Sequence, residues 1–550
     1  MASKIKLLNN QGDEVTIEHS DTSAKQGNSV VNIKDVTKQV GTIADLKALD
    51  GTHKLVYVTG YHTKGDGAFG SNFFEWDATS TEADNGGTII KLDSVDTGRY
   101  KLKYSGAVNV KWFGANITRT DNEVPINNAI KLSSSIYIPI GVFVISDSIR
   151  ESTNSYGLNV VGENKLKSQI VANPTMVNPI VWVGNSNGHG SYRGVFKNFS
   201  IVGNNNIGCH GLILQEAGIT SVFDLKILDC DYGIYCPGMI GSQIKSCELS
   251  NNNRHIYMKR LPYGTPVDEN DLTVTASTIS LSTNINKVDS VWMSGGKAGV
   301  LIEGGLTKIT GCTFQGVGNN TTNSVVKLNS ANESFDYGGG SIVDSCWFEG
   351  GTYKYAIEIY STRASIVRDN FISGNSTHTE GGILLYGSPD SSVYNNSIRG
   401  SFTATITESR LDNASIYITA SSGNKCRIKE NYLTTNTNNV YYEGETEPTI
   451  VKEMYPIASV VVGANTTILN SYNVNNVIKN ATGQYRVYFD NFNMGNPTTT
   501  NYSLTLNGSI SATIRVADQY GPYFQIIAED SSGNYIDVDG FSLIVYGNPV

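Results

Sequence analysis

The sequence predicts an all-β chain. Its main part is a right-handed parallel β-helix, preceded by a small mixed unit and followed by an antiparallel β-sandwich. Three observations carry that reading. The first is composition: 17% charged residues, 56 Gly, 30 Tyr and abundant Ser, Thr and Asn, which favours strands and turns over helices. The second is a repeat of short strands separated by Asn/Gly/Ser turns between 134 and 445. The third is the loss of that repeat after about 450, where longer alternating segments begin.

The repeat emerges when six segments are stacked: IKSCELSNNN, ITGCTFQGVG, VDSCWFEGGT, VRDNFISGNS, VYNNSIRGSF and IKENYLTTNT. One template fits most of them, with Cys or Asn at the third or fourth place and an apolar residue two positions later. A second strand usually follows each, such as GIYC, HIYM, GVLI, VVKL, AIEI or GILL. Cys236 to Met258 is a step of 22 residues and Asn370 to Asn396 a step of 26. Several short strands per step without a helical period suit one turn of a β-helix, whose turns stack ~4.8 Å apart. Cys247, Cys312, Cys346, Asn370, Asn396 and Asn431 then fall on one ladder. Inside the coil, Cys fills space and stacked Asn side chains bond along the ladder. A sandwich of hairpins would instead show two-residue Asn-Gly or Asp-Gly turns, and these are scarce.

Around the repeat the chain divides into zones. Residues 1–40 are polar with little periodicity and read as a flexible or partner-ordered arm. Residues 41–115 form a small mixed unit that opens on a short amphipathic helix, with Ile43, Leu46 and Leu49 on one face. A second helix is expected within 116–133, capped by Thr120 or Asp121, with Pro125 tolerated only near its start. The β-helix occupies 134–449, and the alternating segments IASVVVG, YRVYFD, NYSLTLNG, ATIRVA, YFQIIAED and FSLIVYG make a sandwich over 450–550.

Several function classes are excluded. A net charge of −9 without a long basic block argues against nucleic acid. No histidine cluster has ligand spacing, so no metal or other cofactor is expected. Seven cysteines without a CxxC pair read as core residues of a protein folded in a reducing cytosol. The first residues lack the pattern of a signal peptide, and no apolar run reaches the ~18 residues that span a bilayer.

The segments VYVTGYHTKGDGAFGSNFFEWD, DNGGTIIKL, GRY and VNVKWFGA resemble the particle-anchoring part of phage tailspikes and capsule depolymerases. The resemblance is specific over 55–115 and follows the family's order along most of the chain: anchor, short helix, pectate-lyase-like β-helix, and a C-terminal domain for trimerisation or carbohydrate binding. After the WFG, relatives often read G-A-x-G-D-G-x-x-D-D where this chain has GANITRTDNE. The resemblance implies a homotrimer attached to a phage tail or another virion protein, made in the host cytoplasm, without membrane insertion. Its implied target is a bacterial surface polysaccharide, capsule or O-antigen. It transfers no catalytic residue.

Alternation of side chains along a strand points Cys346 and Phe348 inward and Trp347 and Glu349 outward. Phe371 aligns with Trp347, and Trp292 lies two rungs to the other side. An outward strip of Trp292, Trp347 and Phe371 suits stacking against sugar rings, and equally suits contact between subunits. Glu349 beside Trp347 is the first candidate for a general acid in glycoside hydrolysis. Its partner carboxylate is sought in Asp336, in the loop just upstream, or in Glu358, on the next strand. Glu303, Glu333 and Asp369 are weaker candidates. A lyase would instead use a base and a cation, for which Arg254, His255 and Tyr257 are available. The expected function is endo-acting depolymerisation of a surface polysaccharide. Hydrolysis is favoured over elimination, and a receptor-binding spike without catalysis is the other alternative.

Overall fold

The computed structural model describes residues 37–69, 72–150, 157–184, 192–260, 283–318, 323–329, 340–360, 362–373, 377–399, 414–418, 426–434 and 438–442, most strands between 455 and 547, and the backbone of four strands before residue 33. Two compact units divide the chain, Met1–Ile450 and Val451–Val550.

The first unit is dominated by three long parallel sheets of 12, 11 and 12 strands. Each coil contributes one strand to each sheet, so the three together form a right-handed parallel β-helix. The first sheet runs from Val108–Asn109 to Arg427–Lys429, the second from Gly141–Ile145 to Tyr432–Thr434, and the third from Ile149–Arg150 to Asn438–Tyr442. Inward positions stack in register. In the second sheet Leu249, Met293, Phe314, Phe348, Ile372, Ile398 and Leu433 occupy successive rungs. All but Leu433 are 0–1% exposed, and each such burial stabilises by roughly 1.5–3 kcal/mol.

The corner between the first and second sheets explains the sequence template. Asp224, Ser246, Ser290, Gly311, Ser345, Asp369 and Asn395 hold that corner with φ between 51° and 61°, a region Gly, Asn and Asp tolerate best. The next residue points inward, and its neighbour's backbone binds one rung back: Trp292 to Cys247, Trp347 to Cys312, Phe371 to Cys346, Ser397 to Asn370, Tyr432 to Asn396. Val291 occupies the rung between Cys247 and Cys312. Thiol and amide do the same work here. The Sγ atoms of Cys247, Cys312 and Cys346 donate to the carbonyl two residues back at 3.2–3.4 Å, as Asn396 Nδ2 does at 3.0 Å. The amides also chain together, Asn370 Nδ2 to Asn396 Oδ1 and Asn396 Nδ2 to Asn431 Oδ1, both at 2.9 Å. All seven cysteines are buried and free.

Before the coil, a five-stranded sheet orders Thr37–Val40, Leu55–Val58, Phe73–Asp77, Arg99–Lys103 and Ile89–Ile90. Helix α1, Ile43–Lys47, carries a Thr42/Asp45 capping box and buries Ile43 and Leu46. The Asp66 carboxylate organises the glycine-rich loop by accepting from the backbone of Tyr61, His62 and Ala68. Burial opposes its charge, but those N–H groups hold its carboxyl below the usual range. The WFG segment is a 3₁₀ turn closed by Gly114 at φ 89°. A Cβ there would come 2.7 Å from the Tyr61 ring, so only glycine fits. Helix α2, Glu123–Leu132, packs Ile126 and Ala129 into the apolar core at the first coil. Its cap differs from the expected one. Asn122 is the N-cap but turns its side chain toward Asn116 and Val144, and Asp121 accepts from Glu123 N at 3.0 Å.

The expected N-terminal arm contains strands. Lys4–Leu8, Glu14–Glu18, Ser23–Gln26 and Ser29–Asn32 form a four-stranded antiparallel sheet. The alternation in KIKLL and EVTIE was the available signal. The second unit is a sandwich of two four-stranded antiparallel sheets. Val460, Val462, Phe541 and Leu543 of one sheet share a core with Val477, Tyr485, Val487 and Ile526 of the other.

Candidate functional site

The second sheet presents an outward column that the pairing register fixes: Lys226, Glu248, Trp292, Thr313, Trp347, Phe371, Ser397 and Tyr432. Trp292 and Trp347 are 43% and 46% exposed. Trp347 stacks on Phe371 with ring centroids 4.2 Å apart. Exposed tryptophans on one face of a sheet are an apolar feature of the kind found at binding surfaces. On the rungs N-terminal to Trp292, Lys226 and Glu248 form an ion pair at 2.7 Å.

The adjacent outward column holds Ser250, Ser294, Gln315 and Glu349. Ser373 follows on the next rung, its N–H bonded to Phe348 O, and Arg399 on the rung after, since Ile398 pairs Ile372. Glu349 is half-buried. Its side chain has no hydrogen-bond or ion-pair partner among the described residues. Arg399 lies over Phe371 at 5.3 Å and over Tyr432 at 5.6 Å. The outward residues of VYNNSIRGSF and IKENYLTTNT, aligned with the Trp347 segment, are the sequence signal for Arg399 and Tyr432.

Trp292, Trp347, Phe371 and Glu349 therefore share one face. The remaining candidates do not join them. Glu358 points outward from the third sheet, six residues along its strand from Thr352, which at ~3.3 Å per residue is roughly 20 Å of chain. It is 4% exposed and engaged by Lys327 at 2.7 Å and Ser324 Oγ at 2.6 Å. As partner for Glu349 it is corrected: it sits on another face and its carboxylate is already occupied. Asp336 and Glu333 lie outside the described residues. Asp369 is a corner residue engaged by Asn395.

The base-and-cation set is divided as well. His255 is fully buried inside the coil, not on the surface as a base requires. Its Nε2 meets Gly295 O at 3.0 Å and its Nδ1 meets the Asn252 amide at 3.1 Å, so the ring is a satisfied neutral core group. Burial pushes its pKa down to about 4. Tyr257 faces outward on the third sheet with Arg254 over its ring at 5.4 Å. Its hydroxyl donates to Glu303 Oε1 at 2.6 Å. Burial first, and then the Glu303 charge, drive the phenol pKa well upward. Tyr257 thus keeps its proton. Around it Trp182, Ile213, Tyr232 and Tyr235 form an apolar cluster. Among the described residues no group of His, Cys, Asp and Glu side chains is arranged to hold a metal ion.

Comparison with known proteins bears on the fold and on one segment. Residues 39–105 match the phage tail protein small four-stranded beta-sheet domain. No curated protein matches the sequence significantly. The structure is similar to the gp42 tailspike of Acinetobacter phage vb_AbaP_AS12, with a TM-score of 0.55 at 12% identity over 94% of both chains. Full-length tailspike protein 2 from an Escherichia coli O157:H7 bacteriophage aligns with a TM-score of 0.45 at 12% identity, covering 98% of this chain and 80% of that one. The gp49 tailspike of Acinetobacter baumannii bacteriophage Fri1 aligns with a TM-score of 0.38 at 11% identity, over 93% and 98%. Residues 39–105 thus match a phage tail β-sheet domain, and the chain continues into a right-handed parallel β-helix similar in fold to a phage tailspike.

Proposed function

We propose that the chain is a phage tailspike that binds a bacterial surface polysaccharide along the second sheet and cleaves it by endo-glycosidic hydrolysis. The observation that carries the reading is the in-register outward column of the exposed Trp292 and Trp347 with the half-buried Phe371, beside a half-buried Glu349 with no side-chain partner among the described residues. Sugar rings stack their C–H faces on such aromatics. The phage tail domain at 39–105 and the tailspike fold support attachment to a virion and a target on the bacterial surface.

In this reading Glu349 donates its proton to the glycosidic oxygen as the bond to the anomeric carbon breaks. A second carboxylate takes a proton from water, whose hydroxyl bonds to that carbon. Asp336, upstream of Trp347 in the sequence, is the candidate for that role. Elimination by Arg254, His255 and Tyr257 is disfavoured, because the histidine is buried and the phenol holds its proton.

The test applies purified protein to lawns of encapsulated bacteria and then to the capsule of a cleared strain. Clearing with new reducing ends and no absorbance near 232 nm supports the reading. Absorbance near 232 nm would replace hydrolysis by elimination. Binding without cleavage would leave a receptor-binding spike.

A further inference from the structure

Several cations on the outer faces of the coil stand against a carboxylate. Lys226 pairs with Glu248, Lys245 and Lys287 with Asp289, Lys308 and Arg368 with Asp344, and Lys327 with Glu358. Arg399 is different. It is exposed, and no carboxylate lies within ion-pair distance of it among the described residues. Among the described residues its one polar side-chain contact is Nε to Ser397 Oγ at 3.4 Å. The guanidinium is nonetheless held, over Phe371 on one rung and Tyr432 on another. The two rings restrict its rotamers while no described carboxylate occupies its N–H edge, which preorganises it for a planar or tetrahedral anion.

Position gives the cation its meaning. Arg399 stands two rungs beyond Glu349 in the same outward column, roughly 10 Å along the axis at ~4.8 Å per rung. A polysaccharide lying on Trp347 and Phe371 reaches that far within a disaccharide. N-terminal to Trp292 the Lys226–Glu248 pair adds no net charge, so among the described residues of the second-sheet strands Arg399 is the cation without a carboxylate partner. We infer that Arg399 is an anion subsite, and that the polysaccharide carries an acidic group, a carboxylate or phosphate, one or two sugar units from the bond cleaved at Glu349. This inference rests on the proposed function and adds the substrate's charge class and one specificity residue to it.

The test measures cleavage and binding of the capsule cleared by the protein, before and after chemical reduction of its carboxyl groups, and after removal of any phosphate with hydrofluoric acid. Arg399→Gln should raise KM by about 10- to 100-fold, the loss of a charge-assisted hydrogen bond, while kcat changes far less. Arg399→Lys should recover part of the loss. Removal of the acidic group should weaken wild type by the same factor and leave Arg399→Gln unaffected. A neutral capsule cleaved at full rate, or an unchanged KM in Arg399→Gln, overturns the anion subsite while the depolymerase reading stands. Failure to bind or cleave any capsule overturns both.

Discussion

At the scale of single residues, Trp347 and His255 separate binding from stability. Trp347→Ala removes a ring that stacks on Phe371 in solvent. It should raise KM for the polysaccharide about 3- to 10-fold, the worth of one aromatic contact, and leave the melting temperature within a few degrees. Equal KM for mutant and wild type would mean that the tryptophan column serves another partner. His255 and His210 act on stability instead. Burial lowers both pKa values to about 4 from an ordinary 6.5, and His210 Nδ1 accepts from Tyr232 N, consistent with a neutral ring despite Asp231 nearby. As pH falls below 6.5 the unfolded chain takes up protons that the folded chain refuses until about 4. The stability present above pH 6.5 is therefore lost between 6.5 and 4, on the order of 3 kcal/mol per histidine at 1.36 kcal/mol per pH unit. Urea midpoints measured at pH 7 and pH 5 should show the drop, and His255→Gln should reduce it. His255 also marks a limit of sequence reading: its strand register was legible, but inward orientation at a corner depends on the turn before it.

At the scale of the element, the corner ladder decides what each position contributes. Asn396 accepts from Asn370 N and Nδ2 and donates to Val367 O, Tyr394 O and Asn431 Oδ1. Asn396→Ala strands several buried groups at about 1–3 kcal/mol each, so it should be among the most destabilising single changes in the coil. Cys346→Ala loses one weak thiol donor and a small volume, and should cost about 1 kcal/mol. Denaturation of the two variants side by side checks the order; equal losses would contradict the ladder. This ladder was legible from sequence because Cys and Asn recur at one place beside residues that tolerate positive φ. The alignment of Trp347 with Phe371 followed from it. The engagement of Glu358 by Lys327 and Ser324 was not legible, because those partners come from the preceding coil, on the far side of a loop of variable length.

At the scale of the whole molecule, one corner of the coil points to assembly. Ile219, Gly241, Ile285 and Leu306 occupy successive rungs between the third and first sheets. Ile219 and Ile285 combine φ of 53° and 56° with 61% and 62% exposure. Left-handed backbone costs a residue with a side chain roughly 1–2 kcal/mol, and these side chains face water as well. Contact with other copies of the chain would offset that cost. Light scattering should give about three times the 59.5 kDa chain mass, and Ile219→Asn with Ile285→Asn, which suits the backbone but removes the apolar edge, should shift the protein toward monomer. Composition and repeat made the β-helix and the sandwich legible, whereas the order of strands before residue 33 went unread because the segment is short and polar. Cleavage in the proposed reading turns on Glu349. Glu349→Gln preserves shape and removes the transferable proton, so reducing ends released from the cleared capsule should fall roughly 100- to 10,000-fold with binding and melting temperature retained. Near wild-type turnover in that variant would contradict the account.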